Sequence, residues 1–361
     1  MKYVDEYRDI RLISQVAQLI RREATGEYSF MEVCGGHTAS IHRFGINSLL
    51  PGNIRLISGP GCPVCVTSRR YIDTLISIAR IEGVIITVFG DLMRVPGSFS
   101  SLEKEKALGA DVRVVFSALD ALQTARSETG RKVVFPGIGF ETTAPGTAIA
   151  LSKVAHEKIR NFFVCSAHKV MPPAMEAILN DGARIDGFIC PGHVAAVTGA
   201  SAFDFIPSRY HKGCVITGFE PLDILQSVLM LVKQVNTAMP EVEIQYSRAV
   251  TREGNRLAQG FMYSVFEHCD AEWRGLGLIP SGGLQLKQAF ENLDAAKVFD
   301  VSPESIEDDK MCICGDILRG IKTPYDCPLF PEVCTPENPV GACMVSNEGA
   351  CNTYFKYRKN E

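Results

Sequence analysis

Residues 84–98 read VIITVFGDLMRVPGS. A short apolar run, Val84–Phe89, breaks into a turn that carries Gly90, Pro96 and Gly97. The same figure recurs roughly every 25 to 30 residues, as Phe30–Cys34, Ile54–Ile57, Val112–Phe116, Val133–Phe135, Phe162–Cys165, Phe188–Cys190 and Val215–Thr217. Helical spacing fills most of the intervals. Ile72, Leu75, Ile76 and Ala79 mark one helix within 69–81, and 222–235 reads as another. Residues 5–23 form an amphipathic helix on Ile10, Ile13, Val16, Ala17 and Ile20. Strand–helix alternation at this period predicts βαβ units and parallel sheets. The expected class is α/β: two parallel-sheet domains around a cleft, followed by a small cysteine-rich domain. The first spans 1–129 with the N-terminal helix, the second 130–300 with connecting helices, and the third 301–361. Within 240–300 the pattern is weaker: 255–269 reads as helix and 274–286 as loop.

The turns after the strands say more than the strands do. They read VCGGHT, ISGPGCPVC, VFGDLMRVPGS, FPGIGFETTAPG, CSAHKVMPPA, CPGHVAAVTG and TGFEPLD. Ligands of open α/β sheets bind outside the carboxyl ends of the strands. Here nearly every such turn joins Gly or Pro to Cys, His, Glu or Asp. Tight turns alone account for any one of them, but not comfortably for seven.

Composition narrows the function. A 361-residue chain with 46% hydrophobic and 22% charged residues has material for two or three globular domains. Its net charge of −4 gives no basic footprint for nucleic acid. It has no apolar stretch of about 18 residues to span a membrane. No secretory signal is read at the start, so a cytoplasmic location is expected. There is no phosphate-binding P-loop, no complete dinucleotide-binding glycine motif and no C-x3-C-x2-C.

Thirteen cysteines remain to be explained. Six crowd the end of the chain, at Cys312, Cys314, Cys327, Cys334, Cys343 and Cys351, among five prolines. Such a segment cannot fold on hydrophobic burial alone and needs covalent or metal staples. The spacing C-x-C-x12-C-x6-C-x8-C-x7-C matches neither zinc-ribbon nor bacterial ferredoxin patterns. Four ligands plus a redox pair is the natural partition of six. A structural zinc with two idle thiols is the alternative, and three disulfides suit a reducing compartment less well.

Three more cysteines sit in early turns. Cys34 precedes Gly35, Gly36, His37 and Thr38, and a helix start near Thr38 is expected to favour its thiolate. Two glycines let another group approach closely. Cys62 and Cys65 form C-P-V-C, a redox or metal motif, or else a paired structural site. One of its two thiols is expected to be acidified. Cys165, Cys190, Cys214 and Cys269 lie in or beside apolar runs and read as core thiols. His168 and His193 read equally as cleft residues and as structural histidines.

CGGHT at 34–38, GPGCPVC at 59–65, PGIGFETTAP at 136–145, SAHKVMPPA at 166–174, PGHV at 191–194 and the cysteine-rich tail together resemble the HypD family of [NiFe] hydrogenase maturation factors. The resemblance covers essentially the whole chain. It implies two α/β domains around a cleft and a third domain with a [4Fe-4S] cluster. It also implies a redox-capable scaffold, a kind of metallochaperone. With a small HypC-like chaperone, the scaffold holds iron while cyanide and carbonyl are added. A HypE-like donor supplies the cyanide, and the Fe(CN)2CO unit passes to the hydrogenase large subunit. By this resemblance Cys34 ligates the iron with a partner thiolate, and His37 and Thr38 support it. Cys62 and Cys65 are then the redox pair beside the iron, counted with Cys34 among the metal-site thiols. Similarity to ferredoxin:thioredoxin reductase makes Cys312, Cys327, Cys334 and Cys351 the cluster ligands and pairs Cys314 with Cys343. Two rival functions fit the residues less well. One is a cluster-dependent disulfide reductase of a thioredoxin-like partner, with Cys62 and Cys65 as its dithiol. The other is a zinc-stapled binding protein.

Overall fold

The computed structural model describes residue 2, residues 4–304 and residues 311–357; the remainder of the expected 301–361 domain lies outside the described residues. All eight apolar runs are strands: β1 (Tyr28–Glu32), β2 (Ile54–Ser58), β3 (Val84–Val88), β4 (Asp111–Val114), β5 (Lys132–Gly137), β6 (Phe162–Ser166), β7 (Gly187–Pro191) and β8 (Gly213–Thr217). They build two sheets, every pairing of which is parallel. With the short strand β9 (Val242–Ile244), the first sheet has the order β2-β1-β7-β8-β9, and the second has the order β4-β3-β5-β6. The class is α/β, with a cysteine-rich C-terminal region.

Burial on both faces explains why the strands read as unbroken apolar runs. In the first sheet Phe30, Ile189 and Val215 pack against Ile20 and Ile224 of the helices Ile10–Glu23 and Pro221–Thr237. Met31, Phe188 and Ile216 face the opposite layer. All five residues of β3 are buried.

The expected boundary between residues 129 and 130 does not separate the sheets. β4 and β5, on either side of it, both belong to the second sheet. The chain lays down β1 and β2, builds the whole second sheet, and returns with β7 to pair with β1. An apolar run reports that a strand is buried, not which neighbour it pairs with. β9 has three half-buried residues and no such run, and it adds a fifth strand to the first sheet.

A second correction concerns 255–286. The helix Arg256–Val265 stops at Phe266, where an antiparallel hairpin begins: β10 (Phe266–Trp273) and β11 (Gly277–Leu286). The supposed loop is a strand. Pro280 and three glycines within β11 mask it, and a two-stranded ribbon has two edges on which proline is tolerated. Gly275 and Gly277, both at φ +80°, make the turn at its tip.

The tail is not a separate body. Ile317, Leu318, Leu329, Met344 and Val345 share one hydrophobic cluster with Met31, Val33 and Ile57 of the first sheet. Its last helix, Ala350–Tyr357, packs on the helix Gly35–Arg43, where the rings of His42 and Tyr354 lie 4.2 Å apart.

Candidate metal and redox site

The carboxyl ends of β1, β2 and β8 carry the Cys34, Cys62–Cys65 and Phe219 turns, and the structure brings these turns together. Cys34 stands in extended conformation as the N-cap of the helix Gly35–Arg43. That helix starts three residues before the expected Thr38, so Cys34 sits directly at its amino end. The Cys34 amide donates to Glu32 Oε2 at 3.1 Å, and the Thr38 hydroxyl donates to Glu32 Oε1. Glu32 is buried, and that burial lifts its carboxyl to about 8 against the hydrogen bonds from Thr38, Cys34 and Ser58. Glu32, the last residue of a strand, is not marked as a site residue by the sequence pattern. A carboxylate two residues before a cysteine turn was its only signal.

Burial also overrides the expected thiolate. The Cys34 thiol is pushed up to about 12, chiefly by desolvation and then by the nearby Glu348 carboxylate; the amides of Gly36 and His37 oppose this only in part. The helix-terminal amides oppose this desolvation without cancelling it, although Cys34 itself is half-buried. Binding a metal cation would acidify the thiol, because a coordinating thiol gives up its proton.

His37 is buried and neutral, lowered to about 4 by desolvation. Its Nε2 lies 3.2 Å from the carbonyl of Thr217 and 3.0 Å from that of Gly218. Carbonyls only accept, so Nε2 carries the proton and Nδ1 offers its lone pair. That Nδ1 is buried and has no hydrogen-bond partner among the described residues. Phe219 stacks on the ring at 4.6 Å and on His193 at 3.9 Å, so His193 does reach the site through this sandwich. His168 does not belong to this set. It is buried between the hydroxyls of Ser166 (3.1 Å) and Thr147 (3.3 Å), in the second sheet.

Cys62 and Cys65 are joined as a disulfide, 3% and 0% exposed, so neither has a thiol to titrate in this state. The loop carrying them leans on the Cys34 turn. Gly35 donates its amide to the carbonyl of Gly61 at 2.9 Å, and any Cβ on Gly61 would collide with the Cys34 backbone. On the other side, Cys65 Sγ lies 4.0 Å from the carbonyl of Ala342, the neighbour of Cys343. The hairpin tip closes the arrangement. Thr67 bridges to Trp273, the Arg274 amide donates to the carbonyl of Val66 at 2.8 Å, and Gly275 packs against Gly315 beside Cys314.

All six tail cysteines line one small cavity with Ile317, Leu329 and Phe330. Cys314 Sγ and Cys343 Sγ are 2.7 Å apart, and the Val340 amide donates to Cys334 Sγ at 3.3 Å. Hydrogen bonding to Cys314 raises the Cys312 thiol, and burial raises that of Cys334. Among the described residues no three His, Cys, Asp or Glu side chains gather around a single metal ion. A four-iron cluster asks for something else, because its thiolates are spread around a cube. A closed, sulfur-lined cavity with an amide aimed at one sulfur suits that donor set.

Tail residue Glu348 joins the Cys34 turn. A Cβ on Gly35 would meet Glu348, and burial, with Asp91 of the FGDLM turn close by, raises its carboxyl. Cys165, Cys190 and Cys214 are buried in the sheets, as read; Cys269 is half-buried in the hairpin.

A family model named HypD, described as a hydrogenase formation hypA family, matches residues 11–358. The chain belongs to the HypD family. Over 368 residues it is 49% identical to hydrogenase maturation factor HypD2 of Bradyrhizobium diazoefficiens, covering 99% of this chain and 97% of that protein. Hydrogenase maturation factor HypD of Escherichia coli is 45% identical over 370 residues, covering 100% and 99% of the two chains. The HypD of Cupriavidus necator is 46% identical, covering 99% and 97%. The motifs that form the site here thus lie inside a match that runs nearly from end to end. No helix among the described residues is long and apolar enough to cross a membrane.

Proposed function

We propose that this chain is a hydrogenase maturation factor of the cytoplasm: a redox-capable scaffold on which iron receives its cyanide and carbonyl ligands. The observation that carries this reading is the contact series from Cys34 to Gly61, through the Cys62–Cys65 disulfide, to Ala342 and Cys343. One thiol at a glycine turn, one dithiol and one sulfur-lined cavity lie in sequence.

In this reading iron is the cargo. Cys34 binds it, giving up its proton as it does so, and a thiolate of a HypC-like chaperone shares it. Gly35 and Gly36 let Glu348 and Phe219 close on the turn, and Glu32 holds it through the Cys34 amide and Thr38. His37 is locked with Nδ1 unprotonated, so it can accept a hydrogen bond or donate its lone pair at the site. A HypE-like protein delivers cyanide, and the finished Fe(CN)2CO unit leaves for the hydrogenase large subunit.

Cys312, Cys327, Cys334 and Cys351 are proposed to hold a [4Fe-4S] cluster, with Cys314 and Cys343 as a thiol pair beside it. Such a cluster supplies electrons one at a time. Opening the Cys62–Cys65 bond takes two electrons and two protons and yields two thiols next to Cys34. Burial of both sulfurs supports an internal relay over the rival disulfide reductase, whose dithiol must meet a partner's disulfide at the surface.

Infrared spectra of the Cys34→Ala variant, purified without oxygen together with its small partner, test the assignment. The reading expects the cyanide and carbonyl stretches to vanish while the brown chromophore of the tail stays. Stretches that persist in the variant contradict it.

A further inference from the structure

A cavity of about 420 Å³ lies between the first sheet and the tail, away from every cysteine of the site. β1 and β2, the 181–185 loop that leads into β7, and residues 319–321 build it. Its floor is apolar, with Met31, Ile57 and Ile185. Its walls carry three arginines, Arg55, Arg184 and Arg319, against one aspartate, Asp181. In a chain of net charge −4 this is a concentrated positive site.

None of the three arginines pairs with a carboxylate among the described residues. Arg80, Arg113 and Arg248 each pair with a carboxylate at 2.6 to 2.8 Å. Arg55 and Arg184 have no hydrogen bond or ion pair among the described residues. Arg319 donates its Nε to the carbonyl of Gly275 at 2.9 Å, which fixes its stem and leaves the end of its fork unused. Gly320, at φ +71°, brings the tail so close that a Cβ there would strike Ile57 and Met31.

We propose that this cavity binds a small organic oxyanion, a carboxylate or phosphate monoester on an apolar body. Guanidinium forks hold either headgroup through paired hydrogen bonds. The aliphatic floor takes the body, and the volume falls in the range of small-molecule sites. Arg319 directly follows the helix Cys314–Leu318, so an anion held by Arg55, Arg184 and Arg319 joins the cysteine-rich tail to the first sheet. This site is independent of the iron-scaffold reading and stands or falls on its own.

The test is calorimetric titration of the full chain with hexanoate, hexyl phosphate and hexanol, three ligands that share one body. At least one anion is expected to bind about tenfold or more tightly than the alcohol. Arg55→Gln and Arg184→Gln, both at exposed positions, should each weaken that anion about tenfold, whereas Asp181→Asn should not weaken it. A preference for hexanoate assigns a carboxylate ligand, and a preference for hexyl phosphate assigns a phosphate ester. The proposal is overturned if neither anion outbinds hexanol, or if affinity is unchanged in both arginine variants.

Discussion

The Cys34 turn and the six-cysteine tail both present sulfur, but they are held in place by different means. Cys34 sits between a strand and a helix, with its amide on Glu32 and the Gly61 loop against its backbone. Backbone hydrogen bonds and packing place it. Between Cys312 and Cys343 the tail has one five-residue α-helix and short 3-10 turns at Pro324–Asp326 and Ala342–Met344, with irregular chain between them. There the sulfurs themselves occupy the middle. In the proposed function, a site of the first kind is preorganised to receive cargo, and a site of the second kind is completed by the cluster it would hold.

Breaking the tail should therefore have the largest effect. Cys327→Ala or Cys334→Ala is expected to abolish bound iron and acid-labile sulfide of the tail and to expose it to limited proteolysis. The sheets should keep their circular dichroism. Full iron and sulfide content in both variants would sink the ligand assignment.

Next comes the support behind His37. Asp223 is fully buried and binds Arg248, Gln245 and the Glu220 amide, which fixes the turn whose carbonyls hold His37. Asp223→Ala leaves a largely buried guanidinium without its partner, at a cost of about 3 kcal/mol. Urea unfolding should show that loss, and cluster content should be unaffected. Gly61→Ala should cost about 1 to 3 kcal/mol, since the new methyl must push the Cys34 backbone aside. If its denaturation midpoint matches that of the parent, the loop does not brace the turn.

The smallest effect lies in the second sheet, where no cysteine of the site resides. Glu141 is buried, its Oε2 has no hydrogen-bond partner among the described residues, and desolvation raises its carboxyl from 4.5 to about 7. A raised acid stays protonated in the folded chain while the unfolded chain ionises. Stability is thus retained below about pH 4.5 and falls as pH climbs toward 7. Glu141→Gln should flatten that fall by on the order of 1 to 2 kcal/mol between pH 5 and 7.5. Urea midpoints at several pH values would show it, and parallel profiles for the two proteins would contradict it.

The same contrast explains what could be read in advance. Parallel strands buried on both faces announce themselves, so all eight runs were legible, as were the Cys34 and Cys62–Cys65 turns. The hairpin was not legible. Much of its surface is exposed, and Gly and Pro break its pattern, yet its tip meets both the Val66 and Cys314 segments. Nor could spacing foretell that Phe219, 182 residues after His37, would stack on it. Pairing order is a property of the folded sheets, and these partners follow from β1 lying beside β7. The rise of the Cys34 thiol is illegible for a related reason, because a sequence shows the helix terminus but not the desolvation around it or the Glu348 carboxylate that the tail brings near.

The central claim is that the tail feeds electrons to the disulfide beside Cys34. Anaerobic treatment with a one-electron donor, followed by unfolding in the presence of an alkylating agent and mass spectrometry of Cys62 and Cys65, tests it most directly. The account predicts both cysteines labelled in the parent protein and neither in Cys327→Ala. Equal labelling in the two proteins would contradict it.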